Sequence, residues 1–329
     1  MMPDNRIAKC LIIGCGNIAG GFDANRPADS LPFSHAGAYA RHGGFRLSAC
    51  VEPDLAKRQA FMQRWSVTNG FDSVEDATQD TERYDVISIC SPTGVHYHDV
   101  LVAIDMKPRV IFCEKPVTSS SLQTAELIER CKAVGIMLVV NYTRRWDADV
   151  VRLSEELRVG VWGAIRSATG FYNKGILNNG SHMLDLLLLL FGKLEVRSVG
   201  IPVFDMLSDD PTIPAHLVAC GDIDVQLACG HAQDFSLFEL QIVTEKGVIC
   251  MEEGGLYWRI RGVIESQNFP GYRVLGVAEY KVGALPAATL AAVTEIHAAL
   301  TQGGPISSTG ENALAAQRLS ETIRNMAGV

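Results

Sequence analysis

Apolar and polar positions divide the chain into two regimes. Through the first, short strand-length segments rich in apolar residues recur at 10–13, 46–51, 85–90, 110–113 and 136–140, and the run at 110–113 is unbroken. Runs of this length suit strands buried on both faces of a sheet. Helix-length segments lie between them, at 35–41, 54–65, 73–78, up to about residue 104, and to Val134 from a cap at Ser119 or Ser120. Strand and helix alternating in this way predict a doubly wound parallel sheet. From about Asp147 the alternation stops. A helix near 149–157 and a strand at 164–171 lead to the most apolar run, 183–191. That run holds Asp185 and is far short of a bilayer span, so it predicts a buried helix. Strands are expected at 196–204, 216–219, 224–229, 236–244, 247–251 and 257–261, several joined by short turns such as Glu245-Lys246-Gly247. This spacing predicts a largely antiparallel sheet. Helices over 287–300 and 311–326 close the chain. The expected fold class is α/β: a doubly wound parallel sheet over 1–141, then an α+β domain with a large, mostly antiparallel open sheet over 142–329.

Length supports that division, because 329 residues are long for one core. Composition adds mainly exclusions. A hydrophobic content of 47% with 20% charged residues describes a soluble globular protein. The net charge of -8 argues against nucleic acid or an anionic membrane as the main partner. Nine cysteines lie scattered without a CxxC pair, which fits reduced thiols in a cytoplasmic protein. Residues 1–6 lead into an apolar run too short for a signal peptide.

Candidate chemistry collects where the first-half strands end. The run at 10–13 passes at once into Gly14-Cys15-Gly16-Asn17-Ile18-Ala19, the G-x-G-x-x-A form of a dinucleotide fingerprint. Gly14 would permit the tight turn, Gly16 the approach of a pyrophosphate, and Ala19 close helix packing. Glu52 ends the second strand. There it would accept from the adenosine ribose hydroxyls and repel a 2′-phosphate, favouring NAD over NADP; the alternative is an exposed residue starting the next helix. Glu52 lies further from the glycines than usual because 21–34, rich in Asp, Pro and Gly, reads as an inserted loop. The strand at 110–113 ends abruptly in Glu114-Lys115-Pro116. In open α/β sheets ligands bind outside the carboxyl ends of the strands, so this pair is placed for chemistry, or else caps a strand as a solvated charge pair. His96 and His98 form an HxH pair, but no third ligand accompanies them and no metal is expected. In the second half Tyr172, Asn173, Lys174, Asn178, Asn179 and His182 cluster closely enough to offer a many-hydroxyl ligand donors and acceptors together.

Taken together, these motifs resemble the Gfo/Idh/MocA oxidoreductase family. The resemblance rests on the glycine turn at 14–19, Ser91-Pro92-Thr93-x-x-His96, and Glu114-Lys115-Pro116 in the cofactor domain. Asn141-Tyr142-Thr143-Arg144-Arg145-Trp146 resembles the segment that joins the family's domains, and Gly180-Ser181-His182-Met183-Leu184-Asp185 its G-x-H-x-x-D helix. It implies a Rossmann domain that binds NAD through Gly14, Gly16, Asn17, Ile18, Glu52, Ser91, Pro92, Thr93, His96, Glu114 and Lys115. It also implies that Lys115 is catalytic and that the Lys115–Pro116 peptide is cis. Where the family commonly has Asp four residues before the histidine, Asn178 stands here.

The resulting expectation is an NAD-dependent dehydrogenase or reductase acting on a sugar, cyclitol or nucleotide-linked sugar. Lys115, His182 and Asn178 are its catalytic candidates. Arg144, Tyr172, Lys174 and Asn179 join them as candidates for substrate binding. A homodimer or homotetramer is expected, with no nucleic-acid or membrane partner. The alternative is a non-catalytic sugar- or cofactor-sensing protein on the same fold, and a carbon–carbon or imine reductase is a third option.

Overall fold

The computed structural model describes residues 7–27 and 29–329. The reading of residues 1–6, and Ala28 within the inserted loop, lie outside the described residues. The chain divides into two compact units. One comprises Met1–Trp146 and Pro286–Leu314, the other Asp147–Leu285 and Ala315–Val329. The return of 286–314 to the first unit is not part of the linear division at 141/142.

The first unit carries strands β1 (Ala8–Ile13), β2 (Phe45–Val51), β3 (Asn69–Phe71), β4 (Val86–Ile89), β5 (Val110–Cys113) and β6 (Met137–Val140). Its helices are α1 (His35–His42), α2 (Leu55–Trp65), α3 (Val74–Thr78), α4 (Thr93–Asp105) and α5 (Ser121–Ala133). All strands run parallel in the order β3-β2-β1-β4-β5-β6. The order reverses between β1 and β4, which opens a crevice at the carboxyl ends of those strands. The apolar runs are buried as expected: Leu11, Ile12, Ile87, Ile89, Ile111 and Phe112 are all closed to solvent. Ser120 caps α5 by accepting from the Leu122 N–H, and Asp54 caps α2 by accepting from Ala56 and Lys57. β3 carries no apolar run of its own, and the pattern did not single it out. Residues 286–314 return a helix to this unit, in which the His297 ring packs 4.7 Å from that of His42.

The second unit begins with α6 (Ala148–Arg158) and β7 (Ile165–Tyr172), and buries the apolar run as α7 (Ser181–Phe191). Its strands continue as β8 (Leu194–Val199), β9 (Ala215–Ala219), β10 (Ile223–Cys229), β11 (Phe238–Thr244), β12 (Gly247–Glu252), β13 (Tyr257–Glu265), β14 (Arg273–Leu275) and β15 (Glu279–Val282). They form a 9-stranded sheet in the order β14-β13-β12-β11-β7-β10-β9-β8, with β15 pairing β13. Its pairings are antiparallel except between β7 and β10, which run parallel. The expected strand at 196–204 stops at Val199. Gly200 donates to Pro214, and Pro202 has no N–H for a ladder. β14 and β15 escaped the pattern because they are largely exposed and so lack a buried, alternating face. Among the described residues, no helix is long and apolar enough to cross a membrane.

Candidate active site

In the first unit the glycine turn leaves the end of β1 beside β4. Gly14 has φ +86°, and a Cβ there would stand 2.6 Å from the Ser91 nitrogen, so the turn requires glycine. Nothing lies within 4 Å of where a Gly16 Cβ would be, which leaves its backbone open to a ligand. The Cys15 N–H donates to Glu52 Oε2 at 3.0 Å, and the Asp54 N–H to Oε1 at 3.2 Å, so the Glu52 carboxylate is fixed at the end of β2. These groups border a cavity of about 1030 Å³ lined by Gly14, Gly16, Asn17, Glu52, Ser91 and Pro92 among others. Its size and its glycine cradle fit a dinucleotide. Of the remaining cofactor candidates, Ile18, Thr93, His96, Glu114 and Lys115 do not line it.

The insertion starts and ends at nearly one place. Gly20 and Gly21 close a turn onto the Gly16 carbonyl, while His35 and Ala36, entering α1, donate to the carbonyls of Ile18 and Ala19. Asp23 folds what lies between. Its buried carboxylate accepts from the N–H groups of Phe33 and Ser34 and from the Ser34 hydroxyl at 2.5 Å.

His96 sits in the first turn of α4, buried, with Nδ1 3.0 Å from the Pro116 carbonyl and Nε2 2.7 Å from the Ser91 carbonyl. Carbonyl oxygens only accept, so a neutral ring can donate to one of the two. His96 thus ties the loop after β4 to the loop after β5, while His98 turns away and meets Glu75 at 2.6 Å. The HxH pair shares no ligand, and among the described residues no cluster of side chains could hold a metal ion. Nearby, the Ser91 hydroxyl donates to Asp99 at 2.5 Å. Burial pushes the Asp99 carboxyl up despite that bond and the neighbouring His96.

Glu114 and Lys115 follow β5 directly, and the Lys115–Pro116 peptide is cis. Glu114 Oε1 lies 3.0 Å from His35 Nε2 and accepts from Asn141 Nδ2 at 2.6 Å. Burial raises the carboxyl's pKa, but His35, Asn141 and the Lys115 charge outweigh it and hold the group below its ordinary range. Lys115 itself is half-buried, as is Arg144 in the 3₁₀ turn Thr143–Trp146. His35 and Asn141 were not among the residues singled out from sequence as site candidates. Their signal was an isolated His after an insertion and an Asn at the end of an apolar run.

In the second unit the segment expected to be a polar loop is a π-helical turn, Gly175–Gly180, running into α7. π-helical turns are frequent at functional sites. The turn is held from 30-odd positions away in the chain. Asp210 accepts from the N–H groups of Leu177 and Asn178 at 2.9 and 2.8 Å, and Thr212 from that of Gly175 at 2.9 Å. Asp205 accepts from the Lys174 N–H, where Lys174 adopts a left-handed φ of +67°. Burial pushes the Asp210 carboxyl up, against the pull of the two N–H groups. With the backbone held in this way, Asn178, Asn179 and His182 remain half-buried. Asn179 reaches the Leu237 carbonyl at 3.4 Å, and Lys174 Nζ the Ser236 hydroxyl at 2.8 Å. Tyr172 departs from this group. It is fully buried, and its hydroxyl donates to the Ile213 carbonyl at 2.7 Å and accepts from the Ile213 N–H at 2.9 Å. That side chain braces the segment from inside.

Residues 8–142 match the profile of a family described as an oxidoreductase family with an NAD-binding Rossmann fold. The chain is similar to D-glucoside 3-dehydrogenase of Escherichia coli, 25% identical over 269 residues, 76% of this chain and 68% of the relative. It is also similar to inositol 2-dehydrogenase of Pseudarthrobacter chlorophenolicus, 26% identical over 267 residues, 74% of this chain and 77% of the relative. In fold it matches the WlbA dehydrogenase of Bordetella pertussis, solved with NADH and UDP-GlcNAcA. There the TM-score is 0.77 at 17% identity, over 98% of each chain. With its reversed-order parallel sheet, glycine turn and Glu114-Lys115-Pro116 corner, the chain over residues 8–142 matches the Gfo/Idh/MocA oxidoreductase family.

Proposed function

We propose that this protein is an NAD-dependent dehydrogenase or reductase acting at a hydroxyl or carbonyl carbon of a sugar, cyclitol or nucleotide-linked sugar. The observation that carries this reading is the corner after β5. There a carboxylate held ionised by His35 and Asn141 immediately precedes Lys115, at the carboxyl edge of a parallel sheet. Bound NAD supplies the hydride acceptor or donor. The chain's own residues supply binding and proton handling. Gly14 and Gly16 receive the pyrophosphate, Glu52 accepts from the ribose hydroxyls, and Lys115 Nζ takes the substrate's hydroxyl proton or returns it. His182 is the second proton-handling candidate. Asn178, one turn earlier, can orient its ring but supplies no charge to it. Lys174, Asn179 and Arg144 are proposed to hold substrate hydroxyls. The named substrates of the two relatives support the substrate class. The exposed side chains of Phe269, Tyr272, Val274, Tyr280 and Val282 at one end of the larger sheet support a homodimer or homotetramer.

The test is a screen of D-glucosides, inositols and UDP-linked sugars for NAD⁺ reduction and for thermal stabilisation, with light scattering for the assembly. Glu52→Ala belongs in the same screen. A carboxylate facing a 2′-phosphate is repulsive, so the variant is expected to narrow a wild-type preference for NAD over NADP. A wild type that binds NADP more tightly refutes the role given to Glu52.

A further inference from the structure

Behind Glu114 runs a line of buried hydrogen bonds. His35, the first residue of α1, is fully buried, and its ring stacks on Phe112 with centroids 4.3 Å apart. Its Nε2 faces Glu114 Oε1 at 3.0 Å, and its Nδ1 faces Ser88 Oγ at 3.2 Å. Ser88 lies in β4, and its hydroxyl is 2.7 Å from that of Tyr39, one turn along α1. With the imidazole neutral, donors and acceptors match in one direction. The carboxylate only accepts, so Nε2 carries the hydrogen, Nδ1 accepts from Ser88, and Ser88 accepts from Tyr39. Tyr39 is itself closed to solvent, so the line ends inside the protein. It has no exit for a proton, and its effect is to fix the tautomer and angle of one imidazole.

We propose that His35 is a positioning residue: locked by Ser88 and Tyr39, it holds the Glu114 carboxylate toward itself and Asn141, which limits how strongly that carboxylate favours the protonated form of the Lys115 amine. The inference rests on the reading of Lys115 as the proton-handling group. A carboxylate closed onto an ammonium makes it hold its proton more tightly, which would disable an amine meant to accept one. Among the influences that keep Glu114 ionised, those of His35 and Asn141 exceed that of Lys115, as expected of a carboxylate turned toward the first two. The Cys90 and Cys113 thiols lie close enough to Glu114 to feel its charge, and Tyr39 ends the line behind it. Burial pushes all three up, leaving them uncharged.

The test needs no substrate. Acetylation of the Lys115 amine by acetic anhydride is followed by peptide mass spectrometry across neutral to alkaline pH, in wild type, His35→Phe and His35→Gln. Phenylalanine keeps the ring on Phe112 but removes both polar ends, whereas glutamine keeps a donor for Glu114. The reactive fraction of Lys115 at a fixed pH is expected to fall about tenfold in His35→Phe, a shift of about one pH unit. His35→Gln should recover most of it. An unchanged midpoint in a His35→Phe protein that still binds NAD overturns the proposal. If His35→Phe does not fold, Ser88→Ala frees the tautomer and should move the midpoint the same way by less; no movement overturns the proposal equally. Lys115→Met, assayed beside these on whichever substrate the screen returns, judges the other reading. If it retains turnover, Lys115 fails as the proton-handling group, while the labelling result still decides what His35 does.

Discussion

Each unit builds its candidate site around a carboxylate largely withdrawn from solvent, and the two are compensated in opposite ways. Glu114 is met by side chains: a His35 nitrogen, an Asn141 amide and the charge of Lys115, which together hold it below its ordinary range. Asp210 is met chiefly by backbone, the N–H groups of Leu177 and Asn178, with Arg324 helping and Asp209 opposing, and burial still leaves it raised. The first arrangement tunes the charge beside a reactive group. The second spends its carboxylate on bending the chain that carries residues 178, 179 and 182. One site is therefore expected to fail through its electrostatics, the other through its backbone.

The largest effect should come from the first. Lys115→Met removes the amine while keeping a side chain of similar length. Turnover is expected to fall by about 100-fold or more, the usual scale for a principal acid or base. NAD affinity, read by fluorescence titration, should hardly change, because Lys115 does not line the dinucleotide cavity. Activity within about tenfold of wild type would move the proton chemistry to His182 or another group.

The second site is broken through the chain. Gly175 has φ +86°, and a Cβ there would collide with the Asp210 carboxylate and stand 2.6 Å from its carbonyl oxygen. Gly175→Ala is therefore expected to destabilise the protein by about 1–3 kcal/mol from backbone strain, before the collision with Asp210 is added. Amide exchange should rise over 175–180 while NAD binding persists. Uniform exchange across both units would show that the turn is not a separable element.

The same contrast explains what the sequence discloses. In the first unit the apolar runs at 10–13, 85–90 and 110–113 are strands in place, and the glycine turn borders the cavity, because parallel strands are apolar on both faces and the chemistry follows each within a few residues. His35 was hidden by the insertion that separates it from the glycine turn. In the second unit the cluster at 172–182 was visible, but its supports were not. Asp205, Asp210 and Thr212 lie some thirty residues on, in a segment with no apolar period, and only folding brings them to the turn. The burial of Tyr172 has the same origin, since its partner Ile213 belongs to that segment. β14 and β15 were missed for want of a buried face.

The smallest expected effect sets the two carboxylates against each other in pH. A carboxyl depressed in the folded state, as Glu114 is, contributes stability that is present above its unfolded value of about 4.3 and is lost as pH falls through the lower folded value. A raised carboxyl behaves in reverse. The contribution of Asp210 is fully present below its unfolded value of about 3.9 and is lost as pH rises through the higher folded value. Urea midpoints of Glu114→Gln and Asp210→Asn, each subtracted from wild type, isolate the two groups. On acidification from neutral pH, the wild-type advantage over Asp210→Asn should grow first, as the folded protein takes up its proton ahead of the unfolded chain. The advantage over Glu114→Gln should hold through that range and shrink only at lower pH. If both differences move in the same direction, the two sites do not compensate their carboxylates in opposite ways, and His35 and Asn141 do less for Glu114 than their geometry indicates.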